Sequence, residues 1–296
     1  MPGQSTIPLL IKAMRPRQWI KNLLLLAGLF FSRQFFHAES VLRALAAFAL
    51  FCAASGAIYL FNDLLDAPRD RLNPRKRQRP IASGQLAGGT ALTASVALMA
   101  GALAGSYALS VPFGMCTTAY LMMMVGYCLT LKNVFLIDAL VIAMGFVIRA
   151  IAGVIALRTP QQQVPLTVWF VVCIIFLALF LALCKRRCEL VRLDDDAVKF
   201  RPVLACYSTA LLDQLVALCA TGAVLSYTLY ATNLHDPWMM LSTLPFVIYG
   251  VFRYLHLVYT MGNGDAPEEV LTRDWPLLGC VLLWLLSVGL VFMTHG

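Results

Sequence analysis

Long apolar runs alternate with short polar ones along the whole chain, and the runs have the length a bilayer requires. About 20 apolar residues in a helix cover roughly 30 Å of hydrocarbon. Such stretches lie near 20–36, 41–62, 88–110, 112–131, 134–157, 165–184, 207–231, 238–260 and 276–294. The first is the weakest, because Arg33 and Gln34 shorten it. This pattern predicts an all-α, polytopic membrane protein: one transmembrane domain over 1–296, built as a bundle of about nine transmembrane helices. Residues 1–19 form an N-terminal interfacial segment in this reading. Pro2, Pro8, Pro16 and several charges interrupt that segment, so the first helix rather than a cleaved leader is expected to direct insertion.

Composition strengthens the membrane assignment and charge orients it. Hydrophobic residues make up 60% of the chain and charged ones 13%, where soluble domains carry about a quarter charged. The formal charge of +8 does not point to nucleic acid, because the basic residues sit in clusters between apolar runs. Lys12, Arg15, Arg17 and Lys21 precede the first run. Arg69, Arg71, Arg75, Lys76, Arg77 and Arg79 follow the second, and Lys185, Arg186, Arg187, Arg192, Lys199 and Arg201 follow the sixth. With Lys132 and Arg273, these alternate loops hold eighteen of the 23 Lys and Arg. By the positive-inside rule that side is cytoplasmic. Residues 63–87 and 185–206 then become cytoplasmic active-site loops, 261–275 a further cytoplasmic loop, and the expected location is the cell inner membrane. The nine cysteines show neither CxxC nor Cys/His ligand spacing, so neither disulfides nor zinc are expected.

Positive-inside orientation needs no carboxylates, yet acidic residues gather on the same side. The second run ends Asn62-Asp63-Leu64-Leu65-Asp66-Ala67-Pro68-Arg69-Asp70. On a helix Asp63, Asp66 and Asp70 share one face, where like charges repel unless cations hold them. Mg²⁺ favours a few carboxylates plus phosphate oxygens, and the adjoining Arg75, Lys76, Arg77 and Arg79 suit further phosphate oxygens. A magnesium–diphosphate site follows, with Asn62, Asp63, Asp66 and Asp70 as metal ligands. The competing explanation is a solvated helix end with salt bridges to Arg69 and Arg71. Pro68 is expected to end or kink the helix, leaving the last carboxylate on a loop.

The segment NDLLDAPRD at 62–70 resembles NDxxDxxxD, the first Asp-rich motif of the UbiA superfamily of intramembrane prenyltransferases. The similarity continues in RPRQWIKN at 15–22, RKRQRPIASGQL at 75–86, DALVIAMGFVIRAIAG at 138–153, CKRRCEL at 184–190 and the stretch 253–278. The resemblance implies a nine-helix fold with a cytoplasm-facing active-site cavity and diphosphate bound through magnesium at the end of helix 2. The later segments resemble the polyprenyl-phosphate phosphoribosyltransferase branch. One departure from the aromatic prenyltransferases agrees with that branch. Where those carry DxxxD after helix 6, this chain reads Lys185-Arg186-Arg187-Cys188-Glu189 and then Asp194-Asp195-Asp196, with no such spacing. A basic wall suits an extra phosphate monoester, which is dianionic near neutral pH.

Phosphoribosyl diphosphate as donor and a polyprenyl (decaprenyl) phosphate as acceptor meet these requirements. The lipid phosphate oxygen would attack the anomeric carbon while diphosphate leaves, with Mg²⁺ as cofactor. The nucleophile is already anionic, so positioning and charge stabilisation suffice, and the scattered His37, His235, His256 and His295 are not needed. A carboxylate from Asp66, Asp70 or Glu189 would steady an oxocarbenium-like transition state; Asp63, Asp66, Asp70 and Glu189 are the catalytic candidates. Lys185 and Arg186 are candidates for the 5-phosphate. Lys21, Asn22, Tyr59, Tyr127 and Lys132 are further substrate-contact candidates, against ordinary anchoring or packing roles. Asp138 and Arg149 lie about 16 Å apart along one helix and need partners elsewhere, since intramembrane charges face a bundle interior. Residues 262–269 read as a turn and a solvated helix start, to which the resemblance adds an active-site cap. A prenyl transfer to a small acceptor and a transporter of an anionic metabolite are the rival readings; the missing DxxxD opposes the first and one-sided polarity the second. Partners are thus the two substrates and the bilayer, not nucleic acid, and self-association is left open.

Overall fold

The computed structural model describes residues 6–32, 34–74, 76–159, 164, 166–193, 202–234, 237–262 and 267–294. The regular elements are α1 (Thr6–Ala13), a 3₁₀ segment (Pro16–Leu26), α2 (Ala27–Phe31), α3 (Ala38–Leu72), α4 (Gly88–Leu109), α5 (Val111–Leu129), α6 (Ile137–Leu157), α7 (Val168–Leu193), α8 (Thr209–Thr232), α9 (Pro237–Leu241), α10 (Leu244–Thr260), α11 (Pro267–Arg273) and α12 (Trp275–Thr294), with short 3₁₀ turns between some of them. Among the described residues, eight helical spans are long and apolar enough to cross a bilayer. Three of the expected helices take a different form.

The first expected helix is a 3₁₀ segment joined to one short α-helix. Its buried positions Asn22, Leu25 and Gly28 recur every third residue, which aligns them on one stripe when three residues make a turn. At about 2.0 Å per 3₁₀ residue and 1.5 Å per α residue, Pro16–Phe31 still extends roughly 30 Å, a bilayer's thickness. The second expected helix does not stop near residue 62 or at Pro68, but runs on to Leu72. Pro68 removes one backbone donor, while two outside contacts and the helix's own cap pin the last turn: Arg79 bonds Asp70, Arg71 Nε donates to the Ala82 carbonyl at 3.2 Å, and the C-cap Asn73 N donates to the Asp70 carbonyl at 3.2 Å. The eighth expected helix is divided at residues 242–243, where Thr243 precedes α10 and Pro245 sits in its first turn, a place where a missing N–H costs nothing.

The chain forms two compact units, 1–134 with 148–164, and 135–147 with 165–296. In the first, α3 packs on α4, α5 and the 3₁₀ segment through small buried residues, among them Ala44, Ala47, Ala54 and Ala57. Small side chains let membrane helices approach closely and bond across the gap; Ser95 Oγ donates to the Ala57 carbonyl at 2.8 Å and Thr117 to Ser106 at 3.0 Å. The tightest approach is between backbones. A Cβ on Gly153 would lie 2.7 Å from Leu25 Cα, and one on Gly28 2.9 Å from the Gly153 carbonyl carbon, so neither position admits a side chain. Arg43 donates to the carbonyls of Ala156 at 2.8 Å and Leu109 at 3.3 Å, placing a cation at the negative ends of α6 and α4.

In the second unit α7 and α8 pack along each other, and α10 packs on α12. Phe180, Cys184, Leu204, Leu212, Val216, Tyr254 and Leu257 form its buried core. Ser208 caps α8 by accepting from Leu211 N at 3.1 Å. A buried polar knot adds registry: Trp284 Nε1 donates to Tyr227 OH at 2.9 Å, and that hydroxyl also bonds Thr243.

Candidate active site

Asp63, Asp66 and Asp70 all project from the final turns of α3, and the structure sorts them into two groups. Asp63 and Asp70 are buried and converge on one atom: Arg79 Nη1 donates to Asp63 at 3.1 Å and to Asp70 at 2.5 Å. Arg15 adds a second guanidinium to Asp63. Asp66 turns elsewhere, accepting from Asn62 Nδ2 at 2.9 Å and Lys132 Nζ at 2.6 Å. Lys76 stands 4.0 Å from Asp70 at the exposed rim, and Arg77 is exposed beside it. The site therefore joins the end of α3, the 76–79 turn, the turn before the 3₁₀ segment, and Lys132 after α5.

Sequence reading missed Arg15 as a site residue, although it opens the RPRQWIKN segment. Its backbone is left-handed, with φ 54°, uncommon for a side chain of this size, and its guanidinium lies 4.9 Å from the centre of the Tyr59 ring. That gives half-buried Tyr59 a defined partner.

Asn22, a candidate for phosphate contact, is wholly buried among helix residues. Its amide donates to Ser55 Oγ at 3.1 Å and accepts from Arg149 Nε at 2.7 Å, while Arg149 Nη2 donates to Tyr120 OH at 2.8 Å. Arg149 thus finds its partners away from Asp138, as the spacing required. Tyr127 and Lys21 are half-buried. Arg75 lies outside the described residues, as do Lys199, Arg201, Asp194 to Asp196 and the Asn263 to Asp265 part of the expected cap.

Within the second unit, the basic run after α7's apolar part is not an open wall of cations. Arg186 is 1% exposed, and its Nε donates to fully buried Asp138 at 2.7 Å. Its Nη1 donates to Glu189 at 2.9 Å, one turn on. Tyr207 OH donates to the other Asp138 oxygen at 2.8 Å and accepts from Leu136 N at 3.1 Å, steadying a leucine at φ 63°. Burial, then the contact with Asp138, pushes the Tyr207 phenol upward. Arg187 is drawn to Asp213 at 2.5 Å and lies 3.8 Å from the centre of the Tyr259 ring. Lys185 is half-buried. Arg253 holds Asp274 through two bonds of 3.1 and 2.8 Å, which keeps that carboxyl below its ordinary range, and Asp274 caps α12 at Leu277 N. Tyr207, Asp213 and Asp274 carried no sequence signal, because their importance lies in partners distant along the chain.

The first group suits a hard divalent ion. Two carboxylates already share one cationic atom, and Mg²⁺ commonly takes one or two carboxylates, completing its shell with phosphate oxygens and water. Among the described residues no three His, Cys, Asp or Glu side chains form a ready-made cage, so the remaining oxygens would come from the substrate and water.

Buried carboxylates and arginines thus meet at one helix end of an all-helical membrane fold. The chain belongs to the UbiA prenyltransferase family, whose sequence profile matches residues 23–271. It is a multi-pass membrane protein. It is 34% identical over 297 residues to a decaprenyl-phosphate phosphoribosyltransferase of Corynebacterium glutamicum, covering 97% of this chain and 87% of that one. A protein of the same name from Mycobacterium tuberculosis is 34% identical over 295 residues, covering 97% and 95%. A UbiA homolog from Archaeoglobus fulgidus, solved bound to GPP and Mg²⁺, superposes with a TM-score of 0.73 at 17% identity, over 97% of this chain and 99% of that one.

Proposed function

We propose that this protein transfers the 5-phosphoribosyl group from 5-phosphoribosyl 1-diphosphate to a polyprenyl phosphate of the decaprenyl type, releasing diphosphate. The observation that carries the reading is the convergence of Asp63 and Asp70 on Arg79, in a chain with near full-length similarity to enzymes of that name. Asp63 and Asp70 would hold Mg²⁺, with Asn62 and Asp66 beside them. When bound, the ion neutralises the departing diphosphate. Arg15, Arg79, Lys76 and Arg77 orient the donor by its phosphate oxygens. Lys132, anchored on Asp66, contributes a further cation at the same helix end. The acceptor's phosphate oxygen forms the new bond to the anomeric carbon as the bond to diphosphate breaks, and no side chain has to remove a proton from that anion.

Donor choice tests the proposal directly. Purified protein with Mg²⁺ is expected to form product from phosphoribosyl diphosphate and decaprenyl phosphate, and none from a prenyl diphosphate and an aromatic acid. The reverse pattern would replace this reading with aromatic prenyl transfer.

The proposal includes the orientation in the cell inner membrane with the site facing the cytoplasm. Reporter fusions after Arg79 or Arg192 are expected to be active only as cytoplasmic reporters. An external signal at Arg79 would reverse the topology.

A further inference from the structure

We infer that Arg15 and Arg79 are exchangeable counter-ions of Asp63 and Asp70, so that the site takes up a divalent cation together with a diphosphate and resists the cation alone. The inference rests on the metal–diphosphate reading above and adds an order to it. Its starting point is charge. Asp63 and Asp70 carry two negative charges, Arg15 and Arg79 two positive ones, and they form one chain of ion pairs, Arg15 to Asp63 to Arg79 to Asp70. The Asp66–Lys132 pair is neutral in itself, and Lys76, 4.0 Å away and 44% exposed at its side chain, is screened by solvent. A divalent ion added to this neutral group would leave two uncompensated positive charges around buried carboxylates, a costly arrangement. The same ion arriving with a multiply charged diphosphate restores the balance.

The exposure pattern shows which partners can leave. In the Asp138–Arg186 pair both side chains are buried, at 0% and 2%. Around Asp63 and Asp70 only the anions are buried; the Arg15 and Arg79 side chains are 28% and 24% exposed. The carboxylates are fixed to α3, whereas each arginine reaches in from a turn. Arg15 also rests on the Tyr59 ring, so its guanidinium keeps one partner after leaving Asp63. Guanidinium groups released here can bind phosphate oxygens in a two-pronged fashion, which turns the residues that oppose a bare cation into ligands of the incoming anion.

Equilibrium dialysis of the full-length protein with Mn²⁺, with and without inorganic diphosphate, measures this coupling without turnover. Wild type is expected to bind Mn²⁺ about tenfold more tightly when diphosphate is present, the equivalent of one charge-assisted contact. Arg79→Gln should bind Mn²⁺ alone about tenfold more tightly than wild type, and gain less from diphosphate. Arg15→Gln should shift the same way and serves as the second test if Arg79→Gln does not fold by circular dichroism. Equal Mn²⁺ affinity with and without diphosphate in wild type would overturn the exchange. So would unchanged diphosphate-free affinity in the folded variants. Failure of wild type to bind Mn²⁺ under either condition would instead overturn the metal–diphosphate reading, and the exchange with it.

Discussion

Asp63→Asn is expected to lower turnover by more than about a hundredfold while leaving the protein folded. The substitution keeps shape and one acceptor oxygen, but removes the charge on which Arg15 and Arg79 both converge. Losing one preorganised group that steadies developing charge typically costs two to three orders of magnitude, about 2.7–4 kcal/mol. Asp70→Asn should follow it, since both carboxylates meet at the same guanidinium atom. Single-turnover assays at saturating phosphoribosyl diphosphate and varied Mg²⁺ separate the chemical step from metal binding. Near-normal turnover with unchanged Mg²⁺ dependence in both variants would remove these residues from the catalytic machinery.

The second large effect is on stability. Arg186→Gln leaves Asp138 buried without its cation, and breaking such a pair from one side costs about 3–5 kcal/mol. The loss should appear as a marked fall in the detergent-solubilised unfolding midpoint, accompanied by a similar fall for Asp138→Asn. The double variant should lose far less than the sum, because neither charge is then stranded. The result also decides Arg186's role. If Arg186→Gln unfolds like wild type and only weakens the phosphoribosyl donor, its guanidinium is a 5-phosphate ligand rather than a structural ion.

These two experiments probe features that differ in how far the chain reveals them. Asp63, Asp66 and Asp70 stand close together at the end of a long apolar run, and their spacing alone places them on one face of a helix. Local spacing could not show that Asp66 turns to Lys132 while Asp63 and Asp70 share Arg79, because that choice depends on cations brought in by other segments. Nor could it show that α3 continues past Pro68. Proline's local penalty was visible, but Arg79 and the Ala82 carbonyl, which hold the last turn through Asp70 and Arg71, come from the chain's return path.

Hydropathy, helical period and charge placement act over a turn or a span, and they were enough for the membrane class, most of the span positions and the helix end where the carboxylates gather. Tertiary packing gave each of those charges its partner. The basic run at 185–187 looks uniform as a string, yet Arg186 belongs to Asp138 and Arg187 to Asp213. The first span looks like any apolar helix, yet it winds as a 3₁₀ segment running into α2, with Leu25 and Gly28 set against Gly153. In an apolar interior a charge or a buried amide has to be met by a partner, and packing chooses that partner from any distance along the chain.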